Sequence, residues 1–184
     1  MPSLPSLDAD IRLTGIVDDA MLRSFLDQVG ALTDKPTVVL ELTTTGGDAE
    51  VARRIALDLR LLREHGGKDI FFFGKSTIYS AGVTVMSAFA VERRFVSADA
   101  SLLIHERRLE KDVKLAGALR ANIARVKDLL AELEHGQALE RDGFEDLVRG
   151  STLSVDALMA RVMTANWYVR APEALRLGLV AALV

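Results

Sequence analysis

Three features of the sequence have residue types that suit nucleophilic catalysis. Ser80 opens a segment of small residues, His105 ends an apolar run, and the glycine pair Gly46-Gly47 precedes a helical pattern. A serine hydroxyl becomes a useful nucleophile when a base such as histidine takes its proton, and glycine lets backbone N–H groups approach a ligand closely. Each feature alone also has a structural explanation: a helix cap for Ser80, a rim or core position for His105, and a tight turn for the glycines.

Other chemistries are disfavoured by residue type and spacing. The chain has no cysteine, which excludes disulfides, thiolate metal sites and a cysteine nucleophile. Lys75 lies between a glycine and a serine, as at the end of a phosphate loop, but Asp69 stands where that loop needs glycine. Lys75 is a weaker alternative base, in a Ser-Lys pair. The other histidines, His65 and His135, each precede a glycine near a predicted helix end, where an imidazolium has a structural role.

Length and composition predict one domain with an aliphatic core. The chain has 184 residues, of which 49% are hydrophobic but only 5% aromatic, so it can bury a large core without crosslinks. The 23 basic and 26 acidic side chains leave a net charge of −3, which argues against affinity that rests on nucleic-acid phosphates. The most apolar stretch, residues 80–91, is shorter than the roughly 20 residues that span a bilayer. Because residues 1–10 lack a basic and apolar leader, we expect a cytoplasmic protein without membrane contact.

Hydrophobic periodicity places these residues in alternating strands and helices. Strands are predicted at residues 11–17, 37–42, 70–73, 94–96, 101–104, 167–169 and 179–184. Helices are predicted from Met21, after the cap Asp48, and at residues 80–89, 155–162 and 172–177, with a loop at 74–79. A long amphipathic helix carries the apolar stripe Leu119, Ile123, Val126, Leu130 and Leu133, and residues 136–151 are predicted to be charged and broken by glycines. The crossovers are long enough for parallel strands, so the predicted fold class is α/β.

Taken together, the motifs resemble the proteolytic subunit of the Clp protease and its relatives in the Clp/crotonase superfamily. The matching segments are residues 11–19, the pair Gly46-Gly47, Gly74 with Ser80-Ala81-Gly82, residues 101–105 and residues 171–180. His105 follows Ser80 by 25 positions, which is the separation that the family uses. The resemblance covers nearly the whole chain from Asp10.

The resemblance implies a fold and a domain organisation. The fold would be a Clp/crotonase-like α/β fold of repeated β-β-α units, with a long helix after the strand that carries the histidine. Residues 1–10 would form a short tail and residues 11–184 a single Clp-like domain. A handle-like helical segment is expected at about 110–135.

The resemblance also implies a reaction, which is serine endopeptidase cleavage of peptides or unfolded proteins. Ser80 would attack the carbonyl and His105 would act as the base. The backbone N–H groups of Gly47 and Ala81 would bind the oxyanion. No metal or organic cofactor is needed, and the implied assembly is a homo-oligomeric ring.

The sequence departs from the family at the third member of the catalytic triad. The family has an aspartate shortly before the C-terminal helix, and Asn166 occupies that place here. Asparagine can accept a hydrogen bond from the imidazole but carries no charge, and this change costs serine proteases about 10⁴ in turnover. The long stretch between His105 and Asn166 also offers carboxylates that could complete the triad instead: Asp142, Asp146 and Asp156.

Two further departures concern partners. Only about ten residues precede the first strand, where the family has an axial loop and helix that help to dock a ring-shaped ATPase. Residues 106–112 are charged, where the family has a Gln-Pro and glycine-rich handle. The charged segment is either a solvated loop or a subunit contact made by ion pairs. These departures make dependence on an AAA+ ATPase partner doubtful.

Two other functions compete with an active peptidase. A catalytically silent structural subunit or scaffold is favoured by Asn166 and by the altered segment after His105. A crotonase-type acyl-CoA enzyme would also use backbone amides to hold an oxyanion, but the chain is short and has no obvious catalytic glutamate pair. For a Clp-like fold, the high apolar share predicts surface reserved for neighbouring subunits.

Overall fold

One mixed sheet organises the protein. The computed structural model describes residues 3–32 and 35–184, and within these residues seven strands join in the sheet and six α-helices accompany it. The strands are β1 (Ile11–Val17), β2 (Thr37–Gly47), β3 (Asp69–Tyr79), β4 (Arg94–Val96), β5 (Ser101–Ile104), β6 (Trp167–Arg170) and β7 (Ala182–Leu183). The helices are α1 (Asp19–Gly30), α2 (Ala49–Glu64), α3 (Ala81–Ser87), α4 (Leu119–Val148), α5 (Val155–Val162) and α6 (Ala171–Arg176). The predicted α/β class is confirmed.

Strand β3 pairs with different neighbours along its length. Strands β1, β2, β3, β4 and β7 lie side by side and are all parallel. The first part of β3 pairs with β4 at residues 72–74, and its last part pairs with β5 at residues 77–79. Strand β6 then runs antiparallel to β5. Because β3 and β5 are parallel partners, their carboxyl ends lie together, and these ends lead directly to Ser80 and His105.

Aliphatic and phenylalanine side chains bury both faces of the sheet. The larger cluster lies between the sheet and the helices and includes Leu40, Ile55, Phe72 and Val85. On the other face a smaller cluster forms, from Val39, Phe71, Phe73 and Phe95, and Leu4 and Ala9 pack against it. The expected tail at 1–10 is therefore in contact with the sheet over part of its length; residues 1 and 2 lie outside the described residues.

Helix α4 is longer than predicted. The expected break at residues 136–151 is wrong, because the helix continues through Gly136 and Gly143 to Val148. A glycine costs a helix only about 1 kcal/mol relative to alanine, and Phe144, Leu147 and Val148 on the last turns pack into the core. Of the handle-like segment expected at 110–135, residues 110–118 form no helix and the remainder belongs to α4.

The predicted loop at residues 74–79 is also wrong, because these residues belong to β3. Gly74, Lys75 and Ser76 are poor strand formers, yet Gly74 is buried and Lys75 Nζ binds Glu41 Oε2 on β2 at 2.6 Å. A register shift between β2 and β3 accommodates this stretch. The last strand is shorter than the predicted 179–184 and covers only Ala182–Leu183. The repeated β-β-α units that the family resemblance implies stay a prediction.

Candidate active site

Strand pairing brings Ser80 and His105 together. Tyr79 on β3 is the register partner of Leu103 on β5, and the backbone N–H of Ser80 donates to the carbonyl oxygen of Leu103 at 2.8 Å. His105 follows the end of β5, and its Nε2 lies 2.8 Å from Ser80 Oγ. Both side chains are partly accessible. The arrangement has the nucleophile-to-base distance that general-base catalysis requires.

The backbone of Ser80 is strained. Its φ of 53° and ψ of −116° fall in a region that residues other than glycine rarely adopt, and such a conformation costs about 1 to 3 kcal/mol. The Ser80 hydroxyl makes no capping hydrogen bond to α3, so the simple explanation of Ser80 as a helix cap does not describe its side chain. A serine on a sharp strand-to-helix turn presents its Oγ outward, as nucleophilic serines do on other folds.

The turn at the end of β2 lies against the nucleophile, and its two glycines are required by space. A Cβ on Gly46, whose φ is +104°, would lie 2.7 Å from Ser80 Cβ. A Cβ on Gly47, whose φ is +149°, would lie 2.2 Å from the carbonyl oxygen of Val17. Buried Thr44 supports the turn, because its Oγ1 accepts the N–H of Gly46 at 3.0 Å.

Strand β1 and helix α3 both adjoin the turn at the end of β2. Asp48 donates its backbone N–H to Val17 on β1 at 2.7 Å. Helix α3 packs against the same turn, because a Cβ on Gly82 would lie 2.4 Å from Thr44 Cγ2. The β2 turn, through Gly46, and the start of α3 therefore meet at Ser80, and the oxyanion role of Gly47 and Ala81 stays a prediction.

The second nitrogen of His105 faces a backbone carbonyl. His105 Nδ1 lies 2.6 Å from the carbonyl oxygen of Glu106. Asn166, the residue predicted to complete the triad, is exposed, and its Oδ1 accepts a hydrogen bond from Arg108 Nη2 at 2.9 Å. Among the described hydrogen bonds of this site, Asn166 therefore bonds to Arg108, and the backbone carbonyl oxygen of Glu106 is the partner of His105 Nδ1.

The alternative carboxylates have other surroundings. Asp146 forms ion pairs with Arg60 at 3.2 Å and with Arg149 at 2.7 Å, and Asp156 pairs with Arg141 at 3.1 Å. Asp142 lines the same cavity as Ser80 and His105. Lys75, the weaker alternative base, is engaged with Glu41. None of these groups takes part in the described hydrogen bonds of His105.

A cavity of about 330 Å³ opens beside Ser80 and His105. Its wall combines α2, α3 and the last turns of α4, and the apolar contributors include Ala56, Val83, Phe144 and Leu147. Sequence reasoning missed the last two, because it placed a broken, charged segment where α4 continues. The remaining signal was the apolar spacing of Phe144 and Leu147, which suits one face of a helix.

Sequence reasoning also missed the groups that hold the segment after His105. Arg107 donates its backbone N–H to Glu140 Oε2 on α4, and its guanidinium binds Glu50 Oε1 at the start of α2. These partners are 33 and 57 positions away in the sequence, and no local pattern indicates such contacts.

Among the residues that the structure describes, no cluster of three or more histidine, aspartate or glutamate side chains has the arrangement of a metal site. No described helix combines the length and the apolar character needed to cross a membrane.

Comparisons with known proteins support the fold. No protein-family model matches the sequence, and no curated protein matches it. The structure is similar to that of an asparagine-to-aspartate mutant of ClpP1 from Listeria monocytogenes, with a TM-score of 0.75 and 15% sequence identity over 95% of this chain and 90% of that chain. The predicted Clp-protease-like fold is thereby confirmed, in a divergent sequence.

Proposed function

We propose that this protein is a serine endopeptidase of the Clp proteolytic-subunit type. The observation that carries the proposal is the 2.8 Å contact between Ser80 Oγ and His105 Nε2, made by a serine with a strained, positive φ. A structural serine has no need of a histidine partner, and backbone strain is more frequent at functional sites. The Clp-like fold supports the same function.

The reaction follows from the chemistry of these groups. Ser80 Oγ attacks the carbonyl carbon of a peptide bond while His105 Nε2 takes the hydroxyl proton. The backbone N–H groups of Gly47 and Ala81 stabilise the oxyanion, and the N-terminal end of α3 adds a favourable dipole. His105 returns the proton to the leaving amine, and water then hydrolyses the acyl-enzyme by the same proton path. The side chain beside the scissile bond would enter the adjoining cavity, whose apolar part favours an apolar residue.

Exposed apolar residues support assembly into a ring of identical subunits that acts on peptides or unfolded proteins. The whole predicted stripe of α4 faces outward in the single chain, with Leu119 81%, Ile123 56% and Leu130 53% exposed. Leu109, Val113 and Leu115 in the preceding segment are exposed as well. An apolar face of this extent on one helix is typical of a surface that another chain covers.

Covalent labelling tests the activity. A fluorophosphonate probe should modify Ser80, and Ser80→Ala should abolish both labelling and peptide cleavage. Ser76→Ala is a matched control, because Ser76 is also a serine with a positive φ (55°) on β3 but is not a partner of His105. Wild-type protein that is never labelled across the pH range, or labelling that persists in Ser80→Ala, would contradict the proposal.

A catalytically silent subunit or scaffold is the second candidate. It is favoured by the neutral surroundings of His105 Nδ1, which faces a carbonyl and not a carboxylate. An imidazolium formed during the reaction would lack the charge stabilisation that a triad aspartate supplies. Assembly without labelling of Ser80 would favour this function over the peptidase.

A further inference from the structure

The segment after His105 is fastened to two helices. The Arg107 backbone N–H donates to Glu140 on α4, and the Arg107 guanidinium binds Glu50 on α2. Glu50 also binds Arg53 Nη1 at 2.7 Å. Partial burial raises the pKa of Glu50, but the hydrogen bond and charge of Arg107 and the charge of Arg53 outweigh this and hold it below its usual value. The segment is therefore anchored by both backbone and side-chain contacts.

One peptide group connects this anchor to the imidazole. The N–H that Glu140 accepts and the carbonyl that His105 Nδ1 contacts belong to the same amide, between Glu106 and Arg107. A peptide group is planar, and in its trans form the N–H and C=O point in opposite directions. Holding the N–H toward Glu140 therefore holds the C=O toward His105.

The identity of this acceptor determines which nitrogen of His105 carries the proton. A carbonyl oxygen only accepts hydrogen bonds, so Nδ1 must be the protonated nitrogen. Nε2 then has a free lone pair directed at Ser80 Oγ, as a general base requires. An asparagine side chain has both an acceptor oxygen and a donor nitrogen, so it would not select one tautomer in this way.

We propose, on the basis of the proposed peptidase function, that Glu140 is a positioning residue for His105. It holds the Glu106–Arg107 peptide so that the Glu106 carbonyl takes the orienting role of a third triad member, while Asn166 stays with Arg108. The carbonyl supplies orientation and tautomer selection but no negative charge.

The test is ¹⁵N solid-state NMR of full-length protein labelled only on histidine, since the chain has three histidines and His105→Gln assigns the signal. Wild type should show a single His105 tautomer with the proton on Nδ1. Glu140→Ala keeps a strong helix former but removes the acceptor, and it should give a mixture of tautomers. The rate of fluorophosphonate labelling should fall roughly tenfold or more, since a wrong tautomer disables the base. Glu140→Gln keeps an acceptor oxygen and should restore the single tautomer.

Controls separate this proposal from the peptidase proposal. Glu134→Leu, at an exposed position of the same helix, should change neither measurement. A single Nδ1–H tautomer in Glu140→Ala would overturn the positioning role. If the tautomer depends on Glu140 while Ser80 is never labelled, the positioning role stands and the peptidase proposal fails.

Discussion

The backbone N–H of Ser80 donates a 2.8 Å hydrogen bond to the carbonyl oxygen of Leu103. This bond extends the pairing of β3 and β5 by one step beyond the register partners Tyr79 and Leu103. It sets the start of α3 beside the residue that follows β5, and the side chains of Ser80 and His105 meet there. The site therefore depends on the second half of β3 leaving β4 and pairing with β5.

The close approach of Gly46 to Ser80 predicts that a single methyl group will disable the site. Gly46→Ala would place a Cβ 2.7 Å from Ser80 Cβ at a φ of +104°, so we expect loss of fluorophosphonate labelling and a decrease of about 2 kcal/mol or more in the free energy of unfolding. Gly136→Ala is the control, because a Cβ there meets nothing within 4 Å and α4 should gain up to about 1 kcal/mol. Urea unfolding and labelling rates measure both effects; a labelled, stable Gly46→Ala variant would contradict the packing argument.

Because Arg94 is buried, its replacement should lower the free energy of unfolding much more than replacement of the neighbouring Arg93. Its guanidinium donates to the carbonyl oxygens of Phe89 at 2.8 Å and Leu147 at 2.7 Å, with longer bonds to others, and desolvation lowers its pKa to about 10. Arg94→Met leaves these carbonyls without partners and should cost about 3 kcal/mol in urea unfolding.

The adjacent Arg93 provides the control for that experiment. Arg93 is partly exposed, pairs with Asp69 at 3.1 Å and lies over the ring of Phe71. Exposed contacts of this kind contribute about 1 kcal/mol or less, so Arg93→Met should be much less destabilising. Equal losses in the two variants would show that the buried carbonyl contacts of Arg94 do not carry the difference.

The lowered pKa of Glu50 predicts a contribution to stability that depends on pH. A carboxyl group with a folded-state pKa below its usual 4.5 stabilises the fold fully above pH 4.5, and that contribution is lost as the pH falls through the lower folded-state value. Because Arg107 and Arg53 cause the lowering, Arg107→Ala should reduce the loss of stability between pH 5 and pH 3. Urea unfolding across this range measures the slope, with Arg120→Ala on exposed α4 as the control; identical slopes in wild type and Arg107→Ala would exclude the pairing as the cause.

The exposed stripe of α4 predicts that charge on one helix face will break the assembly. Ile123→Lys and Leu130→Lys place a charge within the stripe, so each should shift the sedimentation profile from oligomer toward single chains. Asp128→Lys introduces the same side chain on the opposite face and should sediment like wild type. Wild-type protein that sediments as a monomer would contradict the proposed ring.

Much of the architecture was predictable because its signals are local. The apolar periodicity of Ile11–Val17, Asp48 before α2 and Pro172 at the start of α6 each specify an element from a few neighbouring residues, and all three elements form. Asp48 Oδ1 accepts the N–H groups of Glu50 and Val51, as expected of a helix cap. The serine, the histidine and the glycine pair were each weak signals alone, and they were predicted as a site from their joint spacing and the family resemblance.

The completion of the site depended on contacts between distant parts of the chain. The family resemblance predicted Asn166 for the third position of the triad, whereas in the folded chain Arg108 binds Asn166 and the Glu106 carbonyl faces His105. The path of α4 through Gly136 and Gly143 brings Glu140 to the Arg107 N–H. Only the tertiary structure decides these contacts, because two groups can form a hydrogen bond only when the packing of strands and helices brings them within about 3 Å. The residues next to each group in the sequence do not determine that distance.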